Sequence, residues 1–407
     1  MTETLPATDT TGWALGPPPR DYVLGHVRAV LPNAVLDDAR VVVRDGRITA
    51  VEEHRPASGC DVDGRGLLCM PGLIDVHSDA LEKERAPRPS AVLPWDFALV
   101  SLEGKLRAAG ITTVFHGAGF QHKTSRGTQR SPQAAKEVCA TVRARTGAPV
   151  EHRLLYRLDI RSEDGAVQLR EQLAGDFGTP LVSHEDHTPG QGQYVDRSYM
   201  ERYLMGTEGM SADEAERHVD ELIAERTEYG EVMERNLAWL GDLARAGRIR
   251  LAGHDPDSAE AVGALCARGG AVAEFPTTVA AAEAAREHGL PIVMGAPNVL
   301  RGTSHSGNVS ARDLVRMGLV TALASDYLPS GLLAAAFRLV EDRLTTLPAA
   351  LALVTAGPAE VTGLTDRGAL RPGLRADLAL VEPAQHGPVV WAALRAADGD
   401  ETNGSVR

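Results

Sequence analysis

The chain has 407 residues, 43% of them hydrophobic and 24% charged, a globular balance that excludes a disordered, collagen-like or coiled-coil protein. With 42 Lys and Arg against 55 Asp and Glu, the formal net charge is −13, which argues against a nucleic-acid polymer or an anionic membrane as partner. At this length one large domain with an appendage is expected.

The opening segment, Met1 to Asp9, has neither the basic nor the apolar region of a secretion signal. No apolar run reaches the ~18 residues of a membrane span. Cys60, Cys69, Cys139 and Cys266 lie far apart without a C-x-x-C pair. They read as small hydrophobes of a reduced protein, and a cytoplasmic location is expected.

Strands are predicted over 22–30 and 39–44. Asp45-Gly46 then separates two alternating apolar runs, the pair that a two-residue type I′ hairpin favours because both central positions need positive φ. A short strand over 67–70 leads into Pro71-Gly72. Beyond residue 72, short β-rich runs alternate with Ala/Glu/Arg-rich helical stretches. The runs fall at 73–76, 111–115, 152–158, 180–183, 249–252, 271–275, 291–294 and 320–324. Helices are expected at 96–109, 131–146, 211–246, 256–268, 278–288 and 310–318. The longest starts at Ser211-Ala-Asp-Glu214, a capping box. This alternation over roughly 250 residues fits an α/β fold of the (β/α)8 TIM-barrel type. Helices at 347–355 and 359–364 and strands at 376–381 and 388–392 follow. The expected domains are 1–70, the N-terminal part of a small β-sandwich; 71–345, the barrel; and 346–407, a helix and the return strands of the sandwich.

The chemistry gathers at the C-terminal ends of the barrel strands, the face where such barrels place their sites. The first run ends Asp75-Val-His77-Ser-Asp79, and residues i and i+2 of a strand point the same way. The fourth ends Ser183-His-Glu-Asp-His187, the fifth Gly253-His254-Asp255, and the eighth Ala324-Ser-Asp326. Taken singly, each is as well read as a cap or turn residue. As a set, His77, Asp79, His187, His254 and Asp326 predict a divalent-metal site. Imidazole with carboxylate suits zinc, with manganese and iron as alternatives, rather than calcium.

The entry segment Cys69-Met-Pro-Gly-Leu-Ile-Asp-Val-His77, the strand-end histidines and Asp326 resemble the amidohydrolase superfamily. Gly373-Leu-Arg-Ala-Asp-Leu378 resembles its C-terminal strand motif. Longer blocks resemble the PhnM-type diphosphatases of the carbon–phosphorus lyase pathway. These are His77-Ser-Asp-Ala-Leu-Glu-Lys83 with Pro87-Arg-Pro89, Glu151-His-Arg-Leu154, Asp186-His-Thr-Pro-Gly190, Ala273-Glu-Phe-Pro-Thr-Thr278, Met294-Gly-Ala-Pro-Asn298, the loop 301–308 and Ser325-Asp-Tyr327. The resemblance implies a metal-dependent hydrolase of a ribose 5-triphosphate with an alkylphosphonate at C1, releasing diphosphate, and holding one or two ions.

A triphosphate needs local positive charge. Lys83, Arg88, Arg153, Arg157 and Arg301 are the candidates, with Asn308 in the Gly/Ser-rich loop that Arg301 opens. Asp326 is expected to shuttle a proton as well as bind metal, and His305 to donate to the phosphate chain or the leaving group. A two-metal centre needs a bridging carboxylate. Glu151 and Asp159 bracket the third strand on one face, and Asp159 is favoured because it lies at the active end. The second run departs from the resembled pattern, ending His116-Gly-Ala-Gly119 instead of on an acidic residue, so His116 is read as an extra ligand or a substrate contact. His184 and Glu185 depart too, and the basic segment 121–126 is read as a phosphate loop. The alternative on the same scaffold acts on a cyclic amide or imine, or on another phosphorylated small molecule. The expected partner is a small phosphorylated sugar, and a homodimer is compatible with this reading.

Overall fold

Asp45 and Gly46 both take positive φ, 53° and 70°, and Arg44 pairs with Arg47 across the two-residue turn. The predicted hairpin is therefore present. It joins strands β2 (Val35–Arg44) and β3 (Arg47–Glu53) and follows β1 (Tyr22–Val30). The computed structural model describes residues 18–396, apart from 56–57, 89, 122–129, 177 and 305–306.

With β4 (Val62–Asp63), β5 (Leu68–Pro71) and the late strands β14 (Leu378–Ala384) and β15 (Gly387–Leu394), the first three strands form a seven-stranded sheet from both ends of the chain. Its order is β15-β14-β5-β1-β2-β3, with β4 beside β1. Ala39, Val41 and Val43 alternate inward along β2 against Tyr22, Leu24, Leu378 and Leu380. That inner face gives the small β-sandwich domain a core of its own.

Eight parallel strands make the barrel: β6 (Leu73–Ser78), β7 (Ile111–Phe120), β8 (Glu151–Asp159), β9 (Leu181–Glu185), β10 (Arg250–His254), β11 (Val272–Glu274), β12 (Ile292–Gly295) and β13 (Ala322–Ala324). The ring is drawn together where β13 meets β6. Ser78 bridges Asp326, and the buried Asp75 carboxylate accepts from the Ser325 backbone at 3.0 Å and its hydroxyl at 2.5 Å. Inside the ring Ile74, Val76, Phe115, Leu155, Leu181, Ala252, Val272, Val293 and Ala322 pack together. Counting by twos from these residues identifies the side chains that reach the mouth.

Ser131, Ser162, Ser258 and Thr278 each cap the helix that follows, and Ser211 with Glu214 forms the full capping box. Two expectations change. The helix predicted over 211–246 is two helices, Ala212–Glu228 and Gly230–Arg245. Tyr229 leaves helical geometry at ψ 20° beside Gly230, a weak helix former. The helix Ala356–Thr362, assigned above to the sandwich segment, packs Ala359 and Val361 into the barrel's interior cluster. It closes the floor of the barrel.

Candidate metal centre at the barrel mouth

A cavity of about 260 Å³ opens at the C-terminal ends of the strands. A space of that size suits a small molecule and not a polymer. His77, Asp79, Arg157, His187, His254, Arg301, Asn308 and Asp326 all line it, so most of the predicted site converges there.

His77 arrives through a bulge. Between Asp75 and Ser78 the pairing of β6 with β7 slips. Val76 belongs to the barrel interior, yet His77, one residue later, faces the cavity. A bulge re-aims side chains in this way. Three further strand exits are strained. Asp255, Phe275 and Asp326 have φ of 52°, 55° and 57°, left-handed values that non-glycine residues adopt at a cost. All three line the cavity.

Glu274, at the end of β11, organises the histidines. Its Oε1 lies 2.7 Å from His77 Nδ1 and its Oε2 lies 2.7 Å from His254 Nδ1, while Ser183 Oγ donates to Oε2 at 2.6 Å. Burial disfavours the charge on Glu274, but the two imidazoles override it and hold the carboxyl far below its usual range. An ionised carboxylate only accepts, so both Nδ1 atoms carry the proton. Both Nε2 atoms are left for the cavity, the carboxylate–histidine arrangement that typically orients metal ligands. Burial works against a charged His77, yet Glu274 lifts it to about 10, and Asp255 and Glu274 likewise raise His254. A metal would displace those Nε2 protons.

The chemistry of the unsatisfied atoms fits a divalent ion. His187 Nε2 and Asp255 Oδ2 are buried and have no hydrogen-bond partner among the described residues. They lie 3.8 Å apart, and His254 Nε2 is 3.4 Å from the same oxygen. Burial holds His187 neutral, down to about 3, and pushes Asp255 up to about 6. Ligand atoms of Glu185, His187 and His254 lie within 4.8 Å of one another, as do those of His77, Asp79 and Asp326.

Arg157 runs between the two groups. Its Nη1 bonds both oxygens of Asp79 at 2.7 and 2.8 Å, and its Nη2 and Nε reach Glu185 Oε2 at 2.8 and 3.1 Å. Arg130 adds a 2.7 Å bond to Asp79 and also pairs with Glu82. Gln121 donates to the other oxygen of Glu185. In the sequence Glu185 stands out only as a departure from the resembled pattern, Glu274 only inside a motif block, Gln121 only as the start of the 121–126 loop, and Arg130 not at all. The first two carried a signal: Glu185 shares parity with Leu181, and Glu274 with Val272, both interior residues.

Other expected residues lie elsewhere. Asp159 is clamped by Arg226 of the helix Ala212–Glu228 at 2.9 and 3.0 Å, outside the cavity lining. Glu151 stands at the opposite end of β8, bonded to Arg367 at 2.5 Å and Arg375 at 3.2 Å. Neither is placed to bridge two ions. His116 is one residue out of phase with the interior Phe115; it turns outward to His152 Nδ1 at 2.8 Å, and His152 in turn contacts Glu103. The inward position is Gly117, where a Cβ would come within 2.6 Å of Asp79 Oδ1. His184 is likewise off phase. Arg153 pairs with Glu151 at 2.6 Å, while Lys83 lies in a separate groove. Arg88 is exposed and outside the lining. Arg301 stays at the rim, donating to Tyr327 Oη at 2.8 Å. His305 and most of the basic 121–126 segment lie outside the described residues.

Comparison with known proteins agrees with this geometry. The α-D-ribose 1-methylphosphonate 5-triphosphate diphosphatase of Escherichia coli (strain K12) is 36% identical over 362 residues, covering 88% of this chain and 94% of that enzyme. The chain belongs to the amidohydrolase superfamily. The amidohydrolase family model matches residues 281–388. An imidazolonepropionase from Deinococcus deserti is 27% identical over 84% of this chain and 85% of its own. The 5-methylcytosine deaminase structure from Klebsiella pneumoniae superposes with a TM-score of 0.60 at 14% identity, over 95% of this chain and 98% of that one, a likeness of fold alone. This amidohydrolase is an enzyme, a hydrolase, and no helix among its described residues is long and apolar enough to cross a membrane.

Proposed function

We propose that this amidohydrolase is a metal-dependent diphosphatase that cleaves a ribose 5-triphosphate bearing an alkylphosphonate at C1. The observation that carries the reading is the near full-length match to the Escherichia coli diphosphatase. The mouth supports it, because metal donors and the guanidiniums of Arg130, Arg157 and Arg301 line one small cavity, the combination a condensed phosphate requires. Zinc is the favoured ion, since the oriented donors are imidazole nitrogens.

A bound divalent ion would supply an acidified water and a counter-charge for the phosphoryl oxygens. The protein's own groups do the rest. His187, His254 and the Asp255 carboxylate would hold the ion, with His77 facing the same cavity. Asp326, whose carboxyl is pushed up by burial and by the nearby Asp79 charge, takes the proton from the attacking water and passes it on. Arg301 and Asn308, on the rim, receive the outer phosphates. Glu274 keeps two imidazoles aimed at the cavity.

The test is diphosphate release by metal-loaded protein from a panel of ribose 5-triphosphates. Turnover that depends on the C1 phosphonate is the expected result. No diphosphate from any of them, with hydrolysis of an imidazolone ring instead, would move the assignment to the cyclic-amide branch.

A further inference from the structure

We infer that Arg157 is a resident second cation of this centre, and that the mouth therefore takes one divalent ion, on its His187–His254–Asp255 side. The inference rests on the metal-dependent reading and specifies its stoichiometry.

Arg157 is only 3% exposed. It sits in the barrel interior, its guanidinium spread between the end of β6 and the end of β9. Both oxygens of Asp79 are bonded to it, and Arg130 bonds Asp79 again. Glu185 receives two of its N–H groups on one oxygen, while Gln121 occupies the other. Asp79 and Glu185, one carboxylate from each candidate donor group, thus already hold a cation between them. A guanidinium cannot discharge at any relevant pH, so a second ion at Asp79 would lie against a fixed, buried positive charge.

The space for this arrangement is built in. At Gly117 a Cβ would stand 2.6 Å from Asp79 Oδ1 and 3.2 Å from Arg157 Cδ, so the inward position of β7 must be glycine for the pair to form. The other side of the cavity is different. His187 Nε2 and Asp255 Oδ2 have no partner among the described residues, His254 Nε2 is 3.4 Å from Asp255, and Glu274 fixes the His254 ring. Three donors there face one another with no guanidinium of the described residues bonded to them. Asp79 becomes the counter-ion of Arg157 rather than a ligand, and Asp326 stays free to carry a proton.

The experiment measures zinc per chain by elemental analysis after loading with excess zinc(II) and gel filtration, and zinc affinity by calorimetry. Wild type is expected to hold one ion. Asp79→Asn should retain it with affinity changed by no more than about threefold, whereas His254→Ala should weaken it by roughly 100-fold or more, beyond the usual loss of an outer partner. Arg157→Met should accept a second ion. If that variant does not fold, wild type and Asp79→Asn decide the matter. Two ions per wild-type chain, or loss of the ion in Asp79→Asn, overturns the inference. A wild-type chain that takes up no zinc overturns the metal-dependent reading itself.

Discussion

The barrel buries charge at both ends, and the two ends behave differently. At the floor, Glu151 accepts from Arg153, Arg367 and Arg375, with Arg395 3.9 Å away. Nearby Asp377 Oδ2, which lacks a hydrogen bond among the described residues, still lies 3.4 Å from Arg375 Nε. The group compensates itself and joins the barrel to the return strands. At the mouth, His187 and Asp255 present atoms that are unpartnered among the described residues mainly to each other and to His254, and three strand exits hold left-handed backbone. A buried ionic cluster alone says little about function, because structural networks perturb charges as strongly as sites do. Leftover donors together with backbone strain distinguish the mouth.

Substitutions at each end separate these roles. The largest effect is expected from Asp326→Asn, which should lower kcat for diphosphate release by roughly 10²–10⁴-fold while leaving the thermal unfolding midpoint near wild type. Glu151→Gln should do the reverse. The surrounding arginines overcome burial and hold the Glu151 carboxyl down at about 2, against 4.5 unperturbed. Its stabilising contribution is therefore complete above about pH 4.5 and is lost as pH falls toward 2. Unfolding free energy at neutral pH should drop by roughly 3 kcal/mol, and the difference from wild type should vanish at the acid end of a denaturation series.

Next comes Glu274→Gln. Calorimetric zinc affinity should fall by about 10–100-fold, because a neutral amide no longer fixes both imidazole tautomers. The smallest effect on catalysis is expected for His116→Phe. It breaks a buried imidazole pair and should cost about 1–3 kcal/mol of stability, with kcat/KM for the triphosphate unchanged. A fall in kcat/KM in that variant would return His116 to the site.

The fold was largely legible in the sequence, since a period of two and a strand–helix rhythm are local properties. All eight barrel strands and the Asp45-Gly46 hairpin follow from them. The site was legible only where local order decided it. His77, Asp79, His254 and Asp326 sit at strand ends, so position sufficed to bring them to the cavity. Asp159 satisfied the same criterion, but Arg226 arrives from a helix inserted between β9 and β10 and ties it outside the cavity. His116 was misplaced by one residue of phase, and one residue turns a side chain to the other face of a strand. Glu185 and Glu274 could have been found by extending the parity of their own strands. Arg130 could not, because only tertiary packing brings it to Asp79.

The central claim is that the mouth cleaves a phosphoanhydride to release diphosphate. Phosphorus-31 NMR of zinc-loaded protein with the alkylphosphonate ribose 5-triphosphate tests it most directly. The expected spectrum loses all three triphosphate resonances and gains a diphosphate singlet and a sugar monophosphate, with the phosphonate signal retained. Orthophosphate as the first product, or an unchanged triphosphate under conditions where the protein holds its metal, would contradict it.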